Sequence, residues 1–378
     1  MGTPEVMNLA RTGRLLAKAV SRQELDLSGL TVFTEAATGA YTVTPVLAAL
    51  AGAEHVYALA RENRHATIEA SYRQTGALAA QLGVADKIEL VSGKNPAHLA
   101  ATDLLTNCGN VRPLDAATLA LLAKPTAVVS LMFEAWEFRL ADLDLATCDQ
   151  RGIAVGATNE RHPEIGMFDF LGLLALKLML DHRFEVRNTR VALLCDNPFA
   201  PHLAEALAQA GAEVLLFDDG NPGNSARRHA VTAMGLATAG AAALGGVDAI
   251  LVAATARSGR ALLGDGQALV DVAALAALNP GVEIFEFCFG GAINRAAVRA
   301  QGLPVWPGHE VPPGHMGIIP SDLGPGPLLL LQAGGLKVGE ILCRARLAGR
   351  SCEEAVAALT ASGWGHGVPV MGSGKIRT

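Results

Sequence analysis

A strand–helix–strand pattern between residues 188 and 219 constrains the fold more than any other part of this sequence. Apolar runs at Arg190–Cys195 and Glu213–Phe217 flank a helical stretch that begins near Pro201. A buried parallel strand is a continuous apolar run, and its parallel neighbour needs a crossover helix first. The spacing predicts the first half of a nucleotide-binding α/β unit, with Asp218 placed where a carboxylate can accept a ribose hydroxyl.

The rest of the sequence shows the same alternation of apolar runs and helical stretches. Its first part predicts six strands, at Leu30–Phe33, His55–Ala60, Lys87–Val91, Asp103–Thr106, Ala127–Met132 and Ile153–Val155. Its second part adds strands at Ala249–Ala253, Glu283–Phe287 and Pro304–Trp306, and helices near Arg227–Thr238, Gly266–Leu278 and Cys352–Ser362. Helices between successive strands indicate open parallel sheets covered on both faces.

Two long apolar helices, predicted at Met167–Leu180 and Gly324–Leu347, divide these elements into two groups. A chain of 378 residues has the length of about two or three domains. We therefore predict a substrate domain of residues 1–165 plus 345–378 and a Rossmann-like nucleotide-binding domain of residues 166–344. A cleft between the two domains is the expected place for a ligand.

The composition excludes several classes of function. Hydrophobic residues make up 51% of the sequence and charged residues 17%, so disorder is excluded and two cores can be buried. The net charge is −6 and no block of Lys or Arg occurs, so we expect no nucleic-acid partner and no membrane partner. The expected partner is a small-molecule substrate.

The cysteines and the N-terminus indicate a cytoplasmic protein. The six cysteines are scattered without a C-x-x-C pair, which predicts neither a zinc site nor a disulfide framework, and no other metal ligand set is legible. Met1–Val20 reads as an amphipathic helix rather than a signal peptide. The apolar helix Leu171–Leu180 is too short to span a bilayer, which needs about 20 residues.

Polar residues follow three predicted strands of the first domain, in the loops Asn107–Pro113, Glu134–Arg139 and Thr158–His162. The carboxyl ends of parallel strands meet at one edge of a sheet, and open sheets bind ligands there. We therefore expect these loops to face the interdomain cleft. Asn107 and Asn110 are candidate substrate-binding residues.

Two arginines in these loops are candidates for binding a carboxylate or phosphate. Arg112 and Arg139 each carry a planar guanidinium that can bind such groups bidentately. The alternative is that each pairs with Glu134, Glu137 or Glu160 in a buried network.

Glu134 and Trp136 form a second candidate pair. An aromatic wall beside a carboxyl group can raise its pKa and make it an acid or base. Packing alone explains Trp136 equally well.

The segment Asp144–Val155, D-L-A-T-C-D-Q-R-G-I-A-V, resembles the D-2-hydroxyacid dehydrogenase superfamily, which includes formate and glycerate dehydrogenases. The resemblance includes the strand start Thr102–Leu105 and the apolar helix that leads into the second domain. It implies two doubly wound α/β domains with parallel sheets, an NAD or NADP cofactor, and a small hydroxy, keto or imino acid as substrate. It also implies a homodimer and a helix at Gly324–Leu347 that returns to the first domain.

The second domain departs from that superfamily at the cofactor loop. The glycine fingerprint G-x-G-x-x-G is replaced by Cys195-Asp196-Asn197-Pro198-Phe199-Ala200. Glycines there let backbone N–H groups contact a pyrophosphate, which an aspartate would repel. The resemblance assigns cofactor contacts to Asp196, Asn197, Phe199, Asp218 and Thr255. The alternative is that Asp196 and Asn197 cap the helix, with a proline in its first turn.

The catalytic positions of the superfamily are also altered. Its arginine is replaced by Phe289. Its histidine has a counterpart in His315, within Pro313–Gly317, with one residue inserted. His315 is therefore the candidate acid/base, and His309 with Glu310 is a second candidate pair, because imidazole exchanges protons near neutral pH.

The first domain has a second, weaker resemblance, to class I methyltransferases. V-F-T-E-A-A-T-G-A, followed by Glu62 after the next strand, looks like the adenosylmethionine-binding half of that fold. Only Gly39 of the usual glycines is present, and it reads equally well as a tight turn. Three functions therefore stay open: an NAD(P)-dependent oxidoreductase, a non-redox lyase, cyclase or transferase, and a non-catalytic ligand-binding protein.

Overall fold

The computed structural model describes residues 8–63, 66–218, 231–255 and 260–368, except the side chain of Trp136. The protein forms two compact units, Met1–Met167 with Gly324–Thr378, and Phe168–Leu323. The boundaries expected from the sequence are wrong at residues 324–344, which belong to unit 1 and not to the second domain. The reason is that their apolar side chains, such as Leu336, lie in the core of unit 1.

Unit 1 is built on a sheet of seven strands, namely β1 (Thr31–Glu35), β2 (His55–Leu59), β3 (Ile88–Val91), β4 (Leu104–Thr106), β5 (Val128–Leu131), β6 (Ala154–Thr158) and β15 (Gly365–Gly367). Their order is β15-β6-β5-β4-β1-β2-β3, and all but β15 are parallel. The helices are α1 (Leu9–Arg22), α2 (Val43–Leu50), α3 (Ile68–Gln81), α4 (Pro96–Ala101), α5 (Ala116–Ala120), α6 (Leu145–Arg151), α11 (Pro325–Leu347) and α12 (Cys352–Ser362).

Helix α11 passes through the middle of unit 1. Three of its glycines allow this: a Cβ at Gly334, Gly335 or Gly339 would lie within 2.5 Å of a side-chain atom of the surrounding core. The helix is long and apolar enough to cross a membrane by length and composition, but 78% of its most apolar window is buried in the protein. Burial in a core accounts for its apolar character.

Unit 2 contains the strands β7 (Arg190–Leu194), β8 (Glu213–Asp218), β9 (Val231–Gly235), β10 (Ala249–Val252), β11 (Leu263–Gly264), β12 (Val270–Asp271), β13 (Glu283–Glu286) and β14 (Val305–Trp306). Six of them form a parallel sheet in the order β14-β13-β10-β7-β8-β9, and β11 pairs separately with β12. The helices are α7 (Leu171–Asp181), α8 (Ala200–Gln209), α9 (Val272–Leu278) and α10 (Arg295–Ala300).

The helix expected at Arg227–Thr238 is wrong over its described part. Val231–Gly235 forms strand β9, and residues 236–238 form a short 3₁₀ turn; the start of the expected helix lies outside the described residues. Parallel pairing with β8 decides the conformation, because it satisfies the backbone groups of this segment. Helix α10 and strand β15 are further elements that the sequence did not indicate.

Both sheets have the strand order of doubly wound nucleotide-binding folds. In each unit the first strand lies centrally, two strands follow on one side and three strands lie on the other, with β15 added at the edge of unit 1. The order reverses between β1 and β4 in unit 1 and between β7 and β10 in unit 2. Ligands of such sheets bind at these switch points. The predicted fold class, two Rossmann-like α/β units, is confirmed.

Candidate functional site

The switch point of unit 1 is formed by the end of β1 and the loop after β4. Glu35, the last residue of β1, accepts a hydrogen bond from the backbone N–H of Asn110 at 2.9 Å. The Asn110 side chain donates to the carbonyl of Ala36, also at 2.9 Å. Glu35 is 5% exposed. Burial raises its pKa, while the Asn110 N–H and the charge of Arg112 oppose the shift.

Among the described residues, one carboxylate holds the guanidinium of Arg112. Its Nη1 donates to Asp142 Oδ2 at 2.9 Å, and its Cζ lies 5.8 Å from the centre of the Phe133 ring. Its Nη2 lies across Gly109 from Glu35: a Cβ at Gly109 would be 3.8 Å from Nη2 and 3.5 Å from Glu35 Oε2. Among the described residues, Nη2 has no hydrogen-bond partner. We call the space that this Cβ would fill, next to Glu35 Oε2 and Arg112 Nη2, the gap over Gly109.

Two further cations brace the loop that carries Arg112. Arg61, after β2, donates Nη1 to the carbonyl of Arg112 at 2.9 Å. Lys94, after β3, donates to the carbonyl of Pro113 and to the hydroxyl of Thr118. Burial, and then the charge of Arg61, lowers the pKa of Lys94 to about 8. Sequence reasoning missed these two cations and Glu35, although each follows or ends a predicted strand.

Asn107 is placed in the core rather than on the loop surface. Its Oδ1 accepts from the N–H of Met132 at 2.9 Å, which ties the end of β4 to the end of β5. It is 1% exposed, and its Nδ2 has no acceptor among the described residues. Its position therefore supports a structural role.

The arginines do not pair with the glutamates considered from the sequence. Arg112 binds Asp142, and Arg139 Nε lies 3.6 Å from the same carboxylate. The Arg139 side chain is 61% exposed. Of the two arginines, Arg112 is the one positioned against a buried group.

Glu134, Glu137 and Glu160 form a separate carboxyl cluster next to β6. Glu134 accepts the backbone N–H of Glu160 at 3.0 Å, and burial raises its pKa. Glu137 and Glu160 hydrogen-bond to each other through their carboxyl groups. Burial raises the pKa of Glu137 to about 7 and that of Glu160 well above its usual range. The Trp136 side chain, expected beside Glu134, lies outside the described part of the protein.

The switch point of unit 2 is bridged by side chains. Asn197 Nδ2 donates to the carbonyl of Ala253 at 2.6 Å, which joins the loops after β7 and β10. The hydroxyl of Thr255 donates to Asp196 Oδ2 at 3.1 Å across the same point. Asn197 Oδ1 also accepts the N–H of Phe199 at 3.0 Å, within the turn that precedes α8, whose N-cap is Phe199 and has no side-chain cap. Asp196 bonds across to Thr255 instead of capping α8.

The N-terminus of α8 has few donors left for an anion. The N–H of Phe199 is bonded to Asn197, that of Ala200 to the Asn197 carbonyl, and Pro201 has none. The Phe199 ring stacks on Phe289, with ring centres 5.9 Å apart. A pyrophosphate therefore does not fit here in the way that the glycine fingerprint binds one.

Asp218 and the position of the superfamily's arginine also lie in unit 2. Asp218 ends β8 and is 6% exposed, which is the position of a ribose-binding carboxylate.

Phe289, which stands at the position of the superfamily's arginine, has a positive φ of 70°. Before it, Glu286 forms a buried ion pair with Arg295, a pair that sequence reasoning did not find.

The candidate histidines lie in exposed parts of unit 2. His315 Nδ1 contacts the carbonyl of Pro313 at 3.2 Å. His309 is exposed, and the neighbouring Glu310 pairs with Arg299 at 3.0 Å, so the catalytic role of His309 stays a prediction. Within the described ranges, no group of three His, Cys, Asp or Glu side chains is arranged to hold a metal ion.

Comparison with solved structures shows the fold. The protein is similar to a dipicolinate synthase from Bacillus subtilis, with a TM-score of 0.57 and 12% identity over 85% of this sequence and 99% of that one. The dipicolinate synthase structure from Bacillus halodurans gives a TM-score of 0.53 and 11% identity over 82% and 96% of the two sequences. The pyruvate reductase of Chlamydomonas reinhardtii gives a TM-score of 0.50 and 12% identity over 86% of this sequence and 98% of that one.

No protein-family model and no curated protein matches the sequence. At these identities the structural similarity shows the fold alone. The fold implied by the sequence resemblance is confirmed on this basis.

Proposed function

We propose that this protein, which has the fold expected of the D-2-hydroxyacid dehydrogenase superfamily, is an oxidoreductase that acts on a small hydroxy, keto or imino acid and uses NAD or NADP. The observation that carries the proposal is Arg112, whose free guanidinium edge faces the gap over Gly109 at a switch point. Guanidinium is the side-chain group best shaped to bind a carboxylate.

The elements around Arg112 support its role as the carboxylate-binding group. Asp142 fixes one end of the guanidinium, and Arg61 and Lys94 fix the backbone of its loop. Preorganisation of this kind lowers the entropic cost of binding. Asn110 closes the other side of the same loop. The remaining sequence-based roles stay predictions: substrate contact by Arg139 and Trp136, and acid/base catalysis by Glu134, His315 and His309.

Unit 2 has a residue that suits the adenosine ribose of a dinucleotide, but its loop does not suit the pyrophosphate. Asp218 fits an adenosine ribose, since it ends the second strand of the unit. The loop from Asp196 to Phe199 does not fit the pyrophosphate, because its donors are bonded within the loop and Asp196 carries a like charge. We therefore derive no catalytic step through the nicotinamide.

The bridged loop favours a second candidate function. Hydrogen bonds from Asn197 and Thr255 close the switch point of unit 2 with the protein's own groups. A non-redox enzyme, such as a lyase, cyclase or transferase, would use Arg112 in the same way without a dinucleotide. Both candidates share the acid-binding site of unit 1 and differ in unit 2.

A thermal-shift titration separates the two candidates. The ligands are NAD, NADH, NADP, NADPH, adenosylmethionine and adenosylhomocysteine, each at about 100 times its dissociation constant, which stabilises a protein by about 2.7 kcal/mol. A shift with a nicotinamide nucleotide that is lost in Asp218→Ala and kept in Asp265→Ala, an exposed aspartate of the same unit, supports the oxidoreductase. No shift with any nicotinamide nucleotide overturns it in favour of the non-redox enzyme.

A cytoplasmic location and a homodimer are part of the same proposal. The location is supported by the scattered cysteines, five of which are buried thiols. Leu173 and Leu180 on α7 are 53% and 59% exposed and support a self-association surface. Leu328–Leu331, an apolar run of α11, lies largely buried in unit 1. Light scattering of the purified protein tests the dimer.

A further inference from the structure

We propose that the gap over Gly109, between Glu35 and Arg112, binds an α-amino acid, with the carboxylate on Arg112 and the ammonium group on Glu35. The proposal rests on the carboxylate-binding role of Arg112 given above. It narrows the substrate class to acids that carry a cationic nitrogen, the amino acid or the corresponding imino acid.

The gap over Gly109 has one acidic and one basic neighbour. Gly109 is exposed, and among the described residues other than its sequence neighbours, only Glu35 Oε2 and Arg112 Nη2 lie within 4 Å of where its Cβ would be. The gap is therefore open on the solvent side and lined by one acidic and one basic group.

The second argument is the separation of these two groups. The carboxylate oxygens of Glu35 and the guanidinium nitrogens of Arg112 lie more than 4.0 Å apart, which is the limit for an ion pair, so the two groups do not neutralise each other by direct contact. Their distances to the same point, 3.5 and 3.8 Å, place them no more than about 7 Å apart. An α-amino acid can join the two groups: its carboxylate accepts one hydrogen bond from Arg112 and its ammonium group donates one to Glu35. Each hydrogen bond is about 2.7–3.2 Å long and bends at its donor and acceptor, so the two bonds and the ligand fit within this distance.

The third argument is the surroundings of Glu35. It is 5% exposed, and its hydrogen-bond donor is the uncharged backbone N–H of Asn110. No cationic nitrogen of the described residues lies within 4 Å of it. A buried carboxylate with no cation in direct contact is costly, and an ammonium group supplies that charge at contact distance. The hydroxyl of a hydroxy acid does not.

The test compares amino acids with their hydroxy analogues. We would screen the twenty common L-amino acids and D-alanine by ligand-observed NMR, then measure each hit and its 2-hydroxy analogue by calorimetry. The expected result is at least one amino acid that binds about tenfold or more tightly than its hydroxy analogue, about 1.4 kcal/mol. No binding, or equal binding of the analogue, overturns the proposal.

Gly109→Ala is the sharpest variant. The new Cβ would make ordinary contacts and the backbone has no positive φ at this residue, so folding should be preserved while the gap is filled. We expect an unchanged melting temperature and a loss of amino-acid affinity of about tenfold or more. Gly76→Ala, where no atom lies within 4 Å, is the matched control and should bind as the wild type does. Retained binding in Gly109→Ala overturns the proposal.

Glu35→Gln separates the two halves of the site. It should remove the preference for amino over hydroxy acids, whereas Arg112→Lys should weaken both. The outcome also separates this proposal from the proposed function. Nicotinamide-dependent turnover of hydroxy acids without amino-acid binding would overturn the present inference alone. Amino-acid binding that is sensitive to Gly109→Ala, without any nicotinamide effect, would overturn only the redox function.

Discussion

Replacement of Glu137 by Gln should stabilise the protein at alkaline pH. Glu137 hydrogen-bonds to Glu160, and Glu134 adds a third carboxyl group nearby. Burial raises the pKa of Glu137 to about 7, so the folded protein holds a proton there that the unfolded protein releases. A glutamine provides an amide donor in place of this proton and removes one charge from the cluster.

The pKa shift gives the size and sign of the effect. In the range where the folded state binds more protons than the unfolded state, the free energy of unfolding falls as pH rises. For Glu137 this range extends from its usual pKa of 4.5 to about 7. At about 1.4 kcal/mol per pKa unit the ceiling is about 3 kcal/mol, and partial solvent screening lowers our expectation to about 1–2 kcal/mol.

Calorimetric melting at pH 5 and pH 8 measures this effect. The melting temperature of Glu137→Gln should exceed that of the wild type by roughly 2–8 °C at pH 8 and by less at pH 5. This range follows from about 2–4 °C per kcal/mol for a unit of this size. Glu54→Gln, at an exposed position of the same unit, should behave as the wild type at both values. A Glu137→Gln protein whose melting temperature follows that of the wild type at both pH values would refute the reasoning.

Three further predictions concern packing, a buried ion pair and a lysine. Gly339→Ala should destabilise unit 1 by about 1–3 kcal/mol in urea titrations because the new Cβ would overpack the core at 2.3 Å, whereas Gly326→Ala, in open space, should not. Glu286→Gln should destabilise unit 2 by about 3–5 kcal/mol, since Arg295 would stay buried without its buried counter-charge and keep only the exposed Glu310 at 3.7 Å; an unchanged denaturation midpoint would contradict this. Lys94, whose pKa is lowered to about 8, should be half neutral at pH 8 and acylated earlier than other lysines in peptide mass spectrometry; late acylation would argue against its lowered pKa.

The regular elements could be predicted largely because local signals agree with the tertiary structure. The sequence predicts helix α12 at its observed bounds, Cys352–Ser362, where a capping box from Ser351 and Glu354 starts the helix and Gly363 ends it in a left-handed conformation. The buried parallel strands are predictable because both of their faces are apolar.

The errors occur where distant residues decide the structure. Val231–Gly235 is an edge strand whose residues are mostly exposed or half-buried, so its sequence carries no buried strand pattern and only pairing with β8 defines it. The apolar pattern of helix α11 does not show which core receives its side chains, so its assignment to the second domain is wrong, whereas the family resemblance implied its return to the first domain.

The candidate site could be predicted in part. Its place at the carboxyl edge of the first sheet and the presence of Arg112 follow from the sequence. The partner of Arg112 does not, because Asp142 lies 30 residues further along. Glu35 is missed because a glutamate at the end of a strand looks exposed in the sequence, whereas the loop of Asn110 covers it.

The central claim is tested most directly by following nicotinamide absorbance while the protein is mixed with NADH or NADPH and small 2-keto acids, with and without ammonium. We expect oxidation of one of the two nucleotides with at least one acid. We also expect that Arg112→Lys loses most of this activity by a higher KM and that Asp218→Ala weakens nucleotide binding. A folded protein that neither binds nor oxidises either nucleotide would contradict the proposed oxidoreductase.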